Sequence, residues 1–438
     1  MLRAVPAITR DPLAYLDGIV ARYGDVVAFP MPRGAVLLVN DPAGARRVLQ
    51  DNPRNYSKRT IQYGALAAVT GQGLLTSDLD DWRAHRRIVQ PAFHHEAVAG
   101  FADRAVAAGE QLRAAWDAVP AGAPDADALV MRAMLGLVGR TLFSADLDAE
   151  AGRIVTAVDA ALRVLVRRAR SPVPASWPTP SRLRLDRAVR VIDEAVAAVL
   201  AARRSGAGGP GGGGADVLGL LLAAADADRL TPAQVRDELV TLVIAGYETV
   251  ASALIWTLSL LADRPDVQDA LAAEFAAVLP AGRAPHAGDL AGLRLTRAVV
   301  DEALRLYPPA WVITRRAVAD DVVAGVALPA GTLVILSPWL LHRRPDDWPD
   351  PLHFDPARFL SADGRPAVPR GAYLPFGLGP RLCIGRDAAL LEATLVLATL
   401  LRDRRVQRPP GSTPPSAQAL VTLRPRPDLP LTLTPAPR

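Results

Sequence analysis

From residue 95 to 205 apolar residues recur every three or four positions in a background of Ala, Leu, Arg and Glu. That period predicts a run of amphipathic helices, broken by Pro-rich loops at 119–125 and 171–180. Nearer the start the period shortens. "GDVVAFPMPRGAVLLVN" at 24–40 reads as two short strands around a Pro-Gly turn, so a strand-rich part covers about 20–60. Thr231 opens a long central helix, with Pro232 at its first position and Gln234 placed to complete a capping box; apolar residues then run to Asp263, before Pro265. At the usual rise such a rod is roughly 45 Å long, enough to cross a domain. A further helix is predicted over 292–307, stopped by Pro308 and Pro309, then strand-like runs in "VVAGVALPAGTLVILSP" and a Pro-Asp-rich meander over 343–370. The last helix is predicted from Ile384 to Arg402, ahead of a tail of Pro-broken strands.

Composition narrows the picture. Half of the 438 residues are apolar, which predicts an extensive interior, and the order of elements fits a single domain over 1–438, mainly α with small β-sheets. "GAGGPGGGG" at 206–214 cannot hold a helix and reads as a mobile surface connection within the fold. No internal repeat is visible. One cysteine, Cys383, permits no internal disulfide and no multi-cysteine zinc site, so a reducing cytoplasm is expected. The net charge of +5 comes from scattered arginines, with Lys58 the sole lysine and no basic run interleaved with aromatics; nucleic acid is not an expected partner. No apolar run near the N-terminus is long enough for a signal peptide or a membrane anchor. Leu239–Ala262 does imitate a membrane span, but its lone charge, Glu248, suits a buried functional helix better than lipid.

The lone thiol stands in "FGLGPRLCIG" at 376–385. Its place just before a predicted helix puts the sulfur near unpaired backbone N–H groups and the positive end of the helix dipole, which favour thiolate over thiol. A thiolate is a ligand or a nucleophile. Gly379 and Gly385 free the backbone to approach something flat, and Arg381 offers a permanent cation two residues from the sulfur. "EALR" at 302–305 sets Glu302 and Arg305 one helical turn apart, and "DDWRAHRR" at 80–87 sets Trp82 and Arg86 on one helical face. His85, His94, His95, His286, His342 and His353 show no metal-ligand spacing and read as ordinary.

With every fixed position of F-x-x-G-x-R-x-C-x-G present, the cysteine loop resembles the haem-ligand loop of cytochrome P-450 monooxygenases. The resemblance implies the cytochrome P-450 fold and haem b (iron protoporphyrin IX). It further implies Cys383 as axial thiolate, Phe376 packed beside the sulfur, and Arg381 paired with a haem propionate. "AGYET" at 245–249 is similar to the family's oxygen-activation segment. There Gly246 would let the central helix bulge, and Glu248 and Thr249 would form an acid–alcohol pair delivering protons. By the same resemblance Trp82, Arg86 and Arg315, with Arg316 as the neighbouring alternative to Arg315, contact propionates. Glu302 and Arg305 join Arg358 of "FDPARF" in a buried charge cluster that serves as scaffold. The implied reaction inserts one atom of O2 into a hydrophobic small molecule of terpenoid, fatty acyl or polyketide type. The pocket would be lined by 61–73, 171–180, Leu242–Ala245 and 310–314. Electrons would come from NAD(P)H through a ferredoxin reductase and an acidic ferredoxin docked on the cysteine side. The sequence also leaves open a haem-thiolate enzyme driven by peroxide or rearranging its substrate, a haem sensor or electron carrier, and a haem-free cysteine hydrolase.

Overall fold

The structure is a computed structural model describing residues 8, 10–30, 35–119, 123–169, 179–205, 216–280, 283–361, 367–426 and 428–436. The Pro-Gly turn at 31–34, most of the loop at 171–180 and the Gly-rich segment at 206–214 lie outside the described residues.

Six helices frame the site, numbered here in chain order: α1 (Leu79–Val89), α2 (Ala102–Asp117), α3 (Ala126–Phe143), α4 (Pro232–Ala262), α5 (Arg294–Leu306) and α6 (Arg386–Leu401). The central helix is α4, and it starts as its sequence dictates. Gln234 N–H donates to Thr231 Oγ1, and Gln234 Oε1 accepts from the Thr231 amide at 2.8 Å. Apolar side chains on every face of α4 pack against α3, α5 and α6 in one continuous core, which includes Leu239, Val243, Val250 and Leu254. Burial on all sides explains its membrane-like composition: 83% of its most apolar window is inside the protein. Helix α5 begins where Glu274 accepts the Leu295 and Thr296 amides and ends before Pro308, which has no N–H to continue it. The last helix starts two residues later than its pattern predicts. Ile384 and Gly385 stay in the loop, with Gly385 as the N-cap.

The early hairpin is only part of its sheet. Strands β1 (Val26–Pro30) and β2 (Ala35–Val39) pair antiparallel with Val26 opposite Val39. Strand β5 (Leu333–Leu336) then joins β2 in parallel, β4 (Ile313–Ala317) lies antiparallel to β5, and β3 (Tyr56–Ser57) closes the order β1-β2-β5-β4-β3. The tail adds a second hairpin, β6 (Ser416–Ala419) with β7 (Leu423–Arg426). It is pinned to the central helix, because the Leu423 carbonyl accepts from Ser252 Oγ at 2.7 Å and from Trp256 Nε1 at 3.1 Å. Trp256 in turn stacks on Tyr307, with ring centroids 3.8 Å apart, and so ties α4 to the end of α5.

Candidate active site

The cysteine loop is a tight, internally bonded bend. Cys383 N–H donates to the Phe376 carbonyl at 3.0 Å, Gly377 N–H donates to the Leu374 carbonyl at 3.0 Å, and Gly377 and Gly379 take positive φ of 75° and 72°. Phe376 packs against the main core beside this bend. Gly379 is required by the protein itself, since a Cβ there would stand 2.1 Å from the Leu49 carbonyl oxygen. At Gly385 φ is −88° and a Cβ would meet nothing nearer than Phe93 at 3.7 Å, so neither conformation nor packing demands glycine there.

Cys383 is solvent-accessible although protein surrounds it, which places its sulfur in a deep recess and not on the outer surface. Burial pushes its thiol above the ordinary range. Opposing that are a hydrogen bond from Gly385 N–H and the charges of Arg86 and Arg386. Burial is the largest of these influences, and the bond opposing it comes from Gly385, the N-cap of α6. Such a sulfur is held as an anion by a cation bound to it, as in metal coordination, rather than poised as a free nucleophile.

Beside the loop lies a concentration of cations. Arg381 Nη1 donates to the Ser77 carbonyl at 2.9 Å and Nη2 to Asp78 at 2.8 Å, with its guanidinium 4.5 Å over the Trp82 ring. Arg86 donates to the Leu382 carbonyl at 3.0 Å, next to the cysteine. Alternation along β4 turns Arg315 inward, to Tyr63 Oη and its own neighbour's carbonyl, while Arg316 turns to Arg59 and Gly331. Sequence reasoning missed a fourth member. Lys58 is buried, donates to the Leu75 carbonyl at 2.7 Å and sits 4.8 Å from the Tyr63 ring centroid. Burial and the charges of Arg315 and Arg381 drive its ammonium well below the usual lysine range, and Arg381 is lowered to about 10, first by burial and then by Arg315. That it is the sole lysine was the one available signal. Against Lys58, Arg315 and Arg381, Asp78 is the carboxylate that pairs among the described residues, and buried Ser77 Oγ has no partner. The cluster carries surplus positive charge suited to an anion with more than one carboxylate.

Helix α4 runs without interruption through 245–249. The expected bulge at Gly246 is not present. Its missing side chain is used instead against α3, since a Cβ would lie 3.0 Å from Val138 Cγ2. Thr249 Oγ1 donates to the Ala245 carbonyl at 2.8 Å, one turn back along the same helix. Glu248 points to the tail hairpin, where its Oε1 accepts from Thr422 Oγ1 at 2.8 Å; Oε2 is buried with no partner. Glu248 and Thr249 are neighbours in sequence, but their side chains have separate partners here. Burial raises the Glu248 carboxyl to about 7 despite Arg424 and Thr422.

Glu302, Arg305 and Arg358 come together under the loop. Arg305 makes two 2.7 Å bonds to the Glu302 carboxylate, both side chains fully buried, and donates to the carbonyls of His342, Pro351 and His353. Arg358 Nε lies 3.4 Å from Glu302 as a charge contact. Two histidines make buried structural contacts. His342 bridges the Arg305 carbonyl and the Leu374 amide. His85 Nδ1, on α1, lies 2.6 Å from Glu238 Oε1 of α4 in full burial, although too poorly aligned for a hydrogen bond. Among the described residues no group of three or more His, Cys, Asp or Glu side chains could hold a metal ion.

A thiol at the floor of a recess with a cluster of cations beside it makes up a haem-thiolate type of site. The family model for cytochrome P450 matches residues 7–431, and the chain belongs to that family as a cytochrome P450 monooxygenase. It is 34% identical over 422 residues to cyclooctat-9-en-7-ol 5-monooxygenase of Streptomyces melanosporofaciens, covering 93% of this chain and 88% of that one. Pentalenene oxygenase of Streptomyces avermitilis is 34% identical over 419 residues, with 94% and 91% covered. The crystal structure of CYP175A1 from Thermus thermophillus superposes with a TM-score of 0.77 at 32% identity, covering 97% of this chain and 96% of that one. The family's haem fits the residues present. Cys383 supplies a recessed sulfur ligand, and Lys58, Arg315 and Arg381 supply the charge that two carboxylates would neutralise.

Proposed function

We propose that this cytochrome P450 inserts one atom of O2 into an apolar terpenoid, with electrons passed from a separate ferredoxin and its NAD(P)H-dependent reductase. The observation that carries the substrate reading is the similarity, over nine-tenths of the chain, to oxygenases named for pentalenene and cyclooctat-9-en-7-ol. The lining expected from the chain is aliphatic in the same sense. Leu66 and Val69 of the helix Ile61–Thr70 share a core with Leu242, Val243 and Ile244 of α4, and such walls discriminate by shape and apolar area.

Haem b, when bound through Cys383, supplies dioxygen activation, and thiolate donation favours O–O cleavage. The remaining work falls to side chains. Trp82, Arg86, Arg315, Arg381 and Lys58 hold and orient the cofactor's carboxylates. Phe376 covers the sulfur, and Glu302, Arg305 and Arg358 hold the loop in one conformation. Thr249, bonded here to the Ala245 carbonyl, would offer its hydroxyl to the reacting centre, and Glu248 would supply the proton. We place the single-domain protein in the cytoplasm, on its lone cysteine and the burial of the one membrane-length helix among the described residues.

Titrating the haem-loaded protein with cyclic terpenes, fatty acids and macrolide precursors, and following the haem absorption shift on displacement of bound water, tests the substrate class. Terpenes should give saturable shifts at micromolar concentration. Shifts with fatty acids and none with terpenes would overturn it. Turnover with hydrogen peroxide alone, insensitive to Thr249→Ala, would favour the peroxide-driven reading.

A further inference from the structure

Glu248 does not stand alone in its pocket. Arg424, on β7, lies with Nη1 3.8 Å from Glu248 Oε1, beyond hydrogen-bond reach, because Asp127 at the start of α3 holds its Nε at 3.1 Å and its Nη2 at 2.5 Å. The same Nη1 donates to Met131 Sδ at 3.6 Å. Exposure rises stepwise outward, from 2% for the Glu248 side chain to 10% for Arg424 and 21% for Asp127. Other titratable groups facing Glu248 are Tyr247 on the same helix and Asp159 of the helix Ala151–Ala169; Asp159 is engaged by Arg163 at 2.7 Å.

We propose that Arg424 is a positioning residue for the monooxygenase reaction, and that Asp127, by holding it back from Glu248, sets how readily that carboxyl keeps and releases its proton. The inference rests on the reading of Glu248 as the proton donor. An arginine bonded to Glu248 would fix it as an anion, while an absent arginine would leave it permanently protonated; at 3.8 Å, with Asp127 claiming the cation, it is left free to do both.

Two variants move the system in opposite directions. In haem-loaded protein the infrared carbonyl band of protonated Glu248, assigned by its loss in Glu248→Gln, is followed against pH. Arg424→Met removes the cation, so the midpoint should rise by about one pH unit, tenfold in proton affinity. Asp127→Asn releases Arg424 to close on Oε1, so the midpoint should fall by a similar amount. The ratio of product to oxygen consumed should follow the midpoint in both. Midpoints that stay fixed, or move in the same direction in both variants, overturn the proposal, as does a chain with no Glu248-dependent band from pH 5 to 9. If Arg424→Met does not fold, the Asp127→Asn shift decides alone. A protein whose carbon monoxide complex lacks the thiolate-type band refutes the haem-thiolate reading while leaving the infrared titration readable.

Discussion

The Leu374 amide donates to His342 Nε2 at 2.9 Å, two residues before Phe376, and the other ring nitrogen of that histidine lies 3.1 Å from the Arg305 carbonyl. One neutral imidazole thus couples the buried Glu302–Arg305 pair to the loop that carries Cys383. The pattern fixes its tautomer, with Nδ1–H donating and Nε2 accepting.

That coupling makes stability acid-sensitive. Burial lowers His342 to about 3 from 6.5, so between those values the unfolded chain binds a proton that the folded chain refuses. Stability is therefore lost as pH falls from 6.5 toward 3, by up to about 1.4 kcal/mol per pH unit from this group. His342→Gln, able to donate and accept, should flatten that slope in denaturant titrations at pH 4 to 7. An unchanged slope would assign the acid sensitivity elsewhere.

Removing one partner of the fully buried ion pair leaves an uncompensated charge. Glu302→Ala should cost about 3–5 kcal/mol, seen as a lower calorimetric midpoint and poor recovery of haem-loaded protein.

Cys383→Ala should abolish the thiolate-type absorption band of the carbon monoxide complex. A band unchanged in that variant would falsify the ligand assignment.

Lys58→Met should separate cofactor retention from folding. Loss of one charge-assisted bond to a carboxylate is worth about 1.5–3 kcal/mol, so haem should transfer to an excess of apoglobin roughly 10–100-fold faster. The haem-free chain should gain stability from the same change. Its ammonium is held well below 10.5, so at neutral pH folding strains against a proton that the unfolded chain keeps. Raising pH toward 10.5 should therefore stabilise haem-free wild type, and the variant should not show that gain.

Thr249→Ala should leave the haem spectrum intact, since its hydroxyl bonds only within α4. Product per oxygen consumed should fall and peroxide release rise; Glu248→Gln should lower turnover by about 10²-fold, the lower range for general acid catalysis. Unchanged coupling in both would remove the acid–alcohol pair from the reaction.

Local pattern determined much of this protein by itself. The cap at Thr231, the stop at Pro308 and the spacing around Cys383 are decided by neighbours in the chain, so the central helix, the Glu302–Arg305 helix and the cysteine loop were legible in one dimension. What needed the tertiary structure depends on partners far apart in sequence. Strand β5 completes a sheet begun by β1 and β2, Lys58 loses its ordinary basicity only because the fold buries it where Arg315 and Arg381 converge, and Gly246 and Gly379 answer to Val138 and Leu49. The balance at Cys383 draws on both: a helix start can be read from order along the chain, whereas desolvation is set by everything that folds around the sulfur.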